Sequence, residues 1–341
     1  MKQLPLRLLL LVVFLSGSGL LASSAHATTT CSATSPTLSF GTVSTSGTTD
    51  VSATFSVTCS TFGLSLLANA KVRMCLGIGD GDGGIGHFRP RRMRNAMGDT
   101  LDFQIYTDAA RTQVWGSRGN PTVPDPRLVE FDYAVPVLGG SQTTTITMYG
   151  RVPTQALVAG TYASTFAGVH TRMDYRYDEV LLGTATYPPS CATGGDGGAS
   201  VSGAFPFTAS ATVPANCRAY AATRLDFGSV PGVIVENIDR TSTITMTCTG
   251  RTAWKVGLNN GLHANGSTRR MRLGTSTSFV RYELYREPAR TSRWGNMPGT
   301  DTVDGTGTGS AQTLTVHGRV PATQTPAAGT YGDTVTVTIT Y

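Results

Sequence analysis

The chain has 341 residues, only 14% of them charged, and a formal net charge of +6 at neutral pH. Its basic residues are almost all arginines scattered along the sequence, without the clustered basic face that indicates nucleic-acid binding. After residue 27, no stretch approaches the roughly 18 uninterrupted apolar residues of a membrane-spanning helix. We therefore expect neither a nucleic-acid-binding protein nor an integral membrane protein.

Residues 1–27 have the pattern of a secretory signal peptide. A basic start precedes the apolar run 8–14, and small residues lead to Ala25-His-Ala27, a typical cleavage site. The pattern predicts an exported chain whose mature form begins near Thr28.

Export affects how the six cysteines are interpreted, because disulfides persist in oxidising compartments. Four cysteines occupy matching positions in two halves of the chain, which favours pairing within each half. Spacing alone does not fix the connectivity. The favoured pairs are Cys31–Cys59 and Cys217–Cys248. Cys75 and Cys191 are left for a third bridge.

The same motifs occur twice in the same order. The first copy contains Leu38-Ser-Phe-Gly-Thr-Val43, Arg91-Arg-Met-Arg94, Trp115-Gly116, Gly150-Arg-Val-Pro153 and Ala159-Gly-Thr-Tyr162. The second contains Leu225-Asp-Phe-Gly-Ser-Val230, Arg269-Arg-Met-Arg272, Trp294-Gly295, Gly318-Arg-Val-Pro321 and Ala328-Gly-Thr-Tyr331. The repeat predicts two homologous domains, 28–192 and 215–341, joined by residues 193–214.

Abundant Gly, Ser and Thr with apolar residues at every second position predict an all-β chain. No helix-period segment of useful length appears after the signal peptide, so each copy is predicted to be a β-sandwich. We expect the two Arg-Arg-Met-Arg motifs to lie on strands with Met inside and the arginines outside. The matching tryptophans, Trp115 and Trp294, are expected to be structural.

The chain ends on its most strongly alternating strand, in which Val335, Val337, Ile339 and Tyr341 share one face. Proteins normally avoid an exposed, unpaired strand edge. The pattern therefore predicts either an unpaired edge or a groove at this strand, for which one physical remedy is a strand supplied from elsewhere.

The segment between the domains has the character of such a strand. After the flexible stretch 194–198, six side chains share one parity: Val201, Phe205, Phe207, Ala209, Ala211 and Val213. As one strand at about 3.3 Å per residue, Val201 to Val213 would span roughly 40 Å, enough to run along a whole sandwich. Pro206 lacks a backbone donor, which suits an edge strand.

In this order, repeated twice, the motifs resemble the spore coat protein U domain, the subunit type of archaic (Csu-type) chaperone-usher pili. The resemblance implies an immunoglobulin-like sandwich that lacks its final strand, which the next subunit supplies by donor-strand complementation. It also implies three partners: a periplasmic chaperone, an outer-membrane usher and an adjacent pilin.

The resemblance further implies a place in the fibre. A shaft subunit carries a donor strand before its first cysteine, yet only three threonines separate the expected cleavage site from Cys31. We therefore expect a tip subunit at the cell surface, with its first domain complemented in cis by the interdomain segment and its second domain open to a neighbour.

Comparison of the copies indicates where adhesion would reside. Two connections of the first copy are each eleven residues longer than their counterparts, and a third extends about nineteen residues beyond the matched strand. Insertions on a rigid scaffold often carry binding function. The apolar candidates for surface attachment and biofilm formation are Phe62, Leu64, Leu66, Leu67, Ile85, Phe88, Val123, Leu128, Tyr175, Tyr177, Leu181 and Leu182. The alternative is that these residues fold inward or extend strands.

Catalysis has little support, because the four histidines after residue 27 form no metal-ligating motif and no nucleophile elbow is present. The sequence Gly79-Asp-Gly-Asp-Gly-Gly84 lacks the spacing of a calcium loop and is predicted to be a turn. We expect no enzyme activity, no metal and no cofactor. The alternatives to a tip adhesin are a secreted structural coat or shaft protein and a carbohydrate-binding module.

Overall fold

A computed structural model describes residues 28–63, 68–180, 184–230 and 232–341. These residues form strands, turns and two short 3₁₀ turns at Asp82–Gly84 and Gly168–His170, with no α-helix in the described ranges. The all-β prediction is confirmed. The predicted signal peptide lies outside the described residues, within which no helix is long and apolar enough to cross a membrane.

The first sandwich has twelve strands among the described residues. They are β1 (Thr28–Ala33), β2 (Leu38–Thr42), β3 (Thr49–Phe62), β4 (Ala68–Ile78), β5 (Arg91–Arg94), β6 (Thr100–Tyr106), β7 (Arg127–Val135), β8 (Gly140–Val152), β9 (Gly160–Phe166), β10 (Thr171–Val180), β11 (Gly197–Ser202) and β12 (Phe207–Val213). Eight form one sheet in the order β1-β3-β8-β6-β5-β9-β12-β2, and the other sheet has the order β11-β10-β4-β7.

The core of the first sandwich follows from strand alternation. On β4, Val72, Met74 and Leu76 are fully buried, while Arg73 and Cys75 point to the outer face of the four-stranded sheet. Successive side chains of a strand point to opposite faces, so this period of two places one row in the core and one at the surface.

The second sandwich is smaller, with nine strands in the part of the chain that the structure describes. They are β13 (Cys217–Ala222), β14 (Ile238–Cys248), β15 (Ala253–Leu258), β16 (Arg269–Leu273), β17 (Phe279–Tyr285), β18 (Val303–Thr306), β19 (Ala311–Val320), β20 (Tyr331–Gly332) and β21 (Val337–Thr340). The sheets have the orders β13-β14-β19-β17-β16-β20 and β18-β15-β21.

All six cysteines are paired, and the prediction for each is confirmed. Two disulfides, Cys31–Cys59 and Cys217–Cys248, join the first strand of each sandwich to the antiparallel strand beside it. The third, Cys75–Cys191, joins β4 to the segment that precedes β11.

The prediction for the Arg-Arg-Met-Arg motifs is wrong at the first arginine of each. Arg91 and Arg269 are fully buried, and their guanidinium groups donate to backbone carbonyls around Trp115 and Trp294 respectively. The indole of Trp115 donates in turn to the carbonyl of Leu76, and the indole of Trp294 donates to the carbonyl of Val256. Burial is tolerated because a buried charged group needs hydrogen-bond partners, and these carbonyls supply them.

The two sandwiches meet end to end. The backbone amide of Ala159 donates to the carbonyl of Gly250 at 2.9 Å, and the amide of Gly250 donates to Leu157 at 2.8 Å. An ion pair between Arg251 and Asp99, at 2.9 Å, lies beside these bonds. This end of the first sandwich is called the junction.

Candidate strand-acceptor site

In the first sandwich the interdomain segment lies inside the fold. Strand β12 pairs antiparallel with β9, placing Phe207 opposite Phe166 and Val213 opposite Gly160. On its other side, β12 pairs in parallel with β2, where Ala209 lies opposite Leu38. The segment therefore fills the gap between two strands of its own domain.

The predicted inward row is buried from Phe205 onward. The side chains of Phe205, Phe207, Ala209, Ala211 and Val213 are each no more than 5% exposed and belong to the first core. The two aromatic rings stack within that core: Phe205 lies 5.2 Å from Phe55, and Phe207 lies 4.6 Å from Phe166, measured between centroids.

Val201 does not belong to this row, and the prediction of one continuous strand is wrong. Val201 lies on the separate strand β11, paired with Met173 of β10, and is 36% exposed. The cause is the turn at Gly168–His170, which breaks the neighbouring strand into β9 and β10. The segment turns with it, since the amide of Gly203 donates to the carbonyl of Gly168. Two strands together cover the length that one was expected to cover.

No described strand occupies the corresponding gap in the second sandwich. In the first sandwich the Ala-Gly-Thr-Tyr motif opens β9, which has β12 as a neighbour. The repeat of this motif leads into β20, which is the last strand of its sheet. Likewise, Leu38 and Phe40 of β2 are buried, whereas their repeats Leu225 and Phe227 are only half-buried and lie in no strand. The absent neighbour leaves both sides of the gap exposed.

The gap is an apolar groove. Two adjoining clefts of about 360 Å³ each share Ala222, Ile244 and Val337, so they form one continuous channel. Of the predicted terminal row, Val335, Val337 and Ile339 are half-buried along the channel. Tyr341 lies at its end and is 54% exposed. The other apolar side chains of the channel are Leu225, Phe227, Leu258, Met271, Leu284, Val316 and Tyr331.

The lining also includes polar residues, two of which, Tyr282 and Asp333, are hydrogen-bonded to each other. The Tyr282 hydroxyl donates to the Asp333 carboxylate at 2.7 Å, and the amide of His263 donates to the other carboxylate oxygen at 3.1 Å. Burial, followed by the hydrogen bond to Asp333, raises the pKa of Tyr282. The phenol therefore stays neutral and available as a donor, and the pair fastens the loop at His263 to the edge of the groove.

The predicted adhesive residues do not form one surface. Val123, Tyr175 and Tyr177 are buried, so for these three the inward alternative is correct. The tyrosines lie on β10 with inward parity, and Val123 packs beneath Gly116. Leu64, Leu66, Leu67, Leu181 and Leu182 lie outside the described residues.

The remaining candidates are spread over the first sandwich. Phe88 is half-buried, and its ring lies 5.7 Å from the Arg91 guanidinium. Ile85 is exposed in the loop before β5, and Leu128 is exposed on β7. Phe62 is 67% exposed at the end of β3.

Sequence reasoning missed two exposed residues next to Phe62. Val137 and Leu138, the latter 83% exposed, form the turn between β7 and β8, and Gly140 pairs with Thr61. The signal was present in the sequence, as an apolar pair directly before Gly139-Gly140. We call Phe62, Val137 and Leu138 the distal pole. Strands β3 and β8 begin or end at this pole, and their other ends lie towards the junction.

The acidic turn at residues 79–84 uses its carboxylates internally. Asp80 contacts His170 at 2.9 Å and accepts a hydrogen bond from the amide of Gly86, while Asp82 accepts from the amide of Thr165. In the described ranges, no group of three or more potential metal ligands is present.

Comparison with known proteins places this architecture in a family. The model of the Spore Coat Protein U domain matches residues 18–168 and 204–338. Protein U of Myxococcus xanthus is 36% identical over 128 residues, which cover 34% of this chain and 71% of that protein.

Two solved structures are similar at lower identity. A chaperone–tip adhesion subunit pre-assembly complex from archaic chaperone-usher Csu pili of Acinetobacter baumannii is 18% identical, with a TM-score of 0.48, covering 92% of this chain and 100% of that one. The CupB6 tip adhesin from Pseudomonas aeruginosa is 12% identical, with a TM-score of 0.33, covering 91% and 93%. The two matched regions of the family model span most of the chain, which therefore belongs to the spore coat protein U domain family.

Proposed function

We propose that this protein is a subunit of an archaic chaperone-usher pilus, and that its second sandwich binds a strand donated by another subunit. The observation that carries the proposal is internal to the chain. One groove is filled by residues 205–213, and the repeat of that groove is open. We divide the chain accordingly into an immunoglobulin-like tip domain (28–192), a cis donor segment (193–214) and an immunoglobulin-like pilin domain (215–341).

The open groove favours occupancy on energetic grounds. Burying a side chain such as Val or Leu contributes about 1.5–3 kcal/mol, and several apolar side chains line each side of the channel. The outer edge of β21 also presents unpaired backbone groups, which an added strand would satisfy. An exported subunit with such a groove needs a protecting partner, so a periplasmic chaperone, an usher and an adjacent pilin are the proposed partners.

The tip position follows from which strands are free. Residues 28–33 form β1, which is paired with β3 and tied to it by Cys31–Cys59, so they are not available to a neighbour. The segment at 205–213 is held in its own domain. If residues 1–27 are removed as a signal peptide, the subunit receives a strand without giving one, which supports the proposed position at the end of the fibre on the cell surface.

We propose further that the distal pole attaches the fibre to surfaces and supports biofilm formation. Phe62, Val137 and Leu138 are exposed apolar side chains at the end opposite the junction, which points away from the fibre. Clustered exposed apolar side chains often mark interaction sites.

The groove can be tested by filling it artificially. A flexible linker and a copy of residues 204–213, appended after Tyr341, should fold back beside β20, as β12 lies beside β9, and raise the melting temperature of the second sandwich. Without the appended strand, the chain should require co-expression with a pilus chaperone to accumulate as folded protein. With the appended strand, it should not. The matched control carries Phe207→Asp and Ala209→Asp in the appended copy. If both extensions behave alike, or the unextended chain is already stable and monomeric, the proposal is wrong.

The pole can be tested by polar replacement. The triple variant Phe62→Ser, Val137→Ser, Leu138→Ser should reduce attachment of piliated cells about tenfold, equivalent to roughly 1.4 kcal/mol. Fibre assembly should be unchanged, because exposed substitutions rarely alter folding. Val169→Ser, which is equally exposed but lies between β9 and β10, is the control. Equal attachment by both variants would remove the pole from the proposal.

A further inference from the structure

The third disulfide, Cys75–Cys191, has no counterpart in the second sandwich. Cys75 lies opposite Asp174 in the pairing of β4 with β10, and the matching position on β15 is Lys255, opposite Thr340. Lys255 makes a surface ion pair with Asp304 instead. The extra bridge therefore occurs in the sandwich whose groove is filled and is missing from the sandwich whose groove is open.

The bridge holds a strap, defined as residues 184–196, across the outer face of the four-stranded sheet. The ring of Tyr187 lies 4.8 Å from the Lys71 ammonium, and Arg73 donates to the carbonyl of Pro189 at 3.1 Å. Closer to β11, Arg176 donates to the carbonyl of Gly194 at 2.6 Å. These contacts lie on the exposed face, where single polar interactions contribute little stability.

The disulfide lies immediately before the donor segment. Five residues separate Cys191 from Gly197, the first residue of β11, a distance of at most about 22 Å when extended. At the other end, three residues separate Val213 from Cys217, which is bonded to Cys248. The donor segment is thus tethered covalently to a sandwich at each end.

We propose that Cys75–Cys191 determines which groove of this protein accepts a strand, by making the cis segment unable to exchange with a donor from another subunit. The inference rests on the proposed function. A strand that leaves the groove remains within a short tether of it, and an effective concentration in the millimolar range returns it before a competitor at ordinary concentration can bind. Without the bridge, the tether on this side lengthens from five residues to the sixteen between Val180 and Gly197, which lowers the effective concentration and lets a second strand compete for the first groove.

The test uses the mature chain, a biotin-labelled peptide of residues 197–213 as competitor, and hydrogen exchange read separately on β12 and β21. In wild-type protein the peptide should not enter the first groove. In the Cys75→Ala, Cys191→Ala variant, β12 amides should exchange about fivefold faster, and the peptide should cross-link to β9. Cys31→Ala, Cys59→Ala removes a disulfide from the same sandwich away from the segment and should leave β12 protected.

A second variant tests the proposal without removing the disulfide, so that misfolding of the double alanine variant does not decide the outcome. A protease site inserted at residues 194–195 allows the folded chain to be cut between the intact disulfide and β11, and cutting should accelerate β12 exchange as the double alanine variant does. Unchanged β12 exchange after cutting, or equal acceleration in the two disulfide variants, would overturn the proposal. Failure of any peptide to protect β21 would instead contradict the proposed function, and the β12 readout would be unaffected.

Discussion

The two sandwiches contain the same Leu-x-Phe-Gly-x-Val motif, but it forms a strand in only one of them. In the first, Leu38 and Phe40 are buried on β2, which pairs with the cis segment. In the second, Leu225 and Phe227 are half-buried and lie outside any strand. Local sequence is nearly equal, so the difference comes from the neighbouring strand. Strand formation here depends on a tertiary partner more than on intrinsic propensity.

The largest expected effect comes from emptying the filled groove. Phe207→Asp removes the ring stacked on Phe166 and buries a charge, which should cost the first sandwich at least the roughly 3–5 kcal/mol of a buried Phe→Ala change. Val201→Asp, on the exposed strand β11, is the matched control and should stay within about 0.5 kcal/mol.

Denaturant unfolding with hydrogen exchange read on β9 and β14 separates the two sandwiches. Phe207→Asp should lower protection of β9 and leave β14 unchanged, making the first groove resemble the second. Comparable loss in both strands, or in both variants, would mean that the segment is not a component of the first sandwich alone.

A smaller effect should distinguish the two buried arginines. Arg269 is partnered by the carboxylate of Glu283, whereas Arg91 has the neutral amide of Gln104 at the same place. Glu283→Ala leaves a buried cation without its anion, a change that costs about 3–5 kcal/mol when the pair is fully buried and less here, because Glu283 is partly exposed. Gln104→Ala removes a neutral acceptor and should cost about 1–3 kcal/mol.

Glu283→Gln sharpens this contrast, because it copies the first sandwich into the second. It should recover much of the stability lost in Glu283→Ala, as measured by the urea midpoint of the second sandwich. A midpoint for Glu283→Gln as low as that of Glu283→Ala would show that the carboxylate charge, and not the acceptor, is what Arg269 requires.

The sequence predicted those features that depend on repetition and on period two. The duplicated motifs led to the duplicated architecture and to the disulfides shared by both halves, and the parity of Phe205 to Val213 led to the buried row. Parity failed at Val201 because the break in the neighbouring strand at Gly168–His170 is a tertiary feature. At Arg91 parity held, since Arg91 shares a face with the buried Met93, and the expectation of an outward arginine failed because burial of a charge depends on carbonyls brought together by the fold. Exposure of apolar residues in the inserted connections was the least predictable property, since Tyr175 proved to lie on a strand with its side chain inward, whereas Val137 lies in an exposed turn.

The smallest expected effect concerns an ion pair common to both halves. Asp50 is paired with Arg151 at 2.7 Å, and Asp239 with Arg319 at 2.8 Å. The hydrogen bond from each arginine lowers the pKa of its carboxyl below the ordinary value. Each pair therefore stabilises the fold fully above the ordinary carboxyl pKa, and this contribution is lost as the pH falls through the lowered folded-state pKa.

These carboxylates are about a third exposed, so Asp50→Asn and Asp239→Asn should each cost about 0.5–1 kcal/mol at pH 7. Both variants should also lose less stability than wild type between pH 7 and pH 3, measured by urea unfolding. Because the pair does not touch the groove, the two effects should be equal whether the groove is filled or open. A clearly larger effect of Asp239→Asn would mean that the open sandwich is weaker throughout, and that the difference between the halves is not confined to the missing strand.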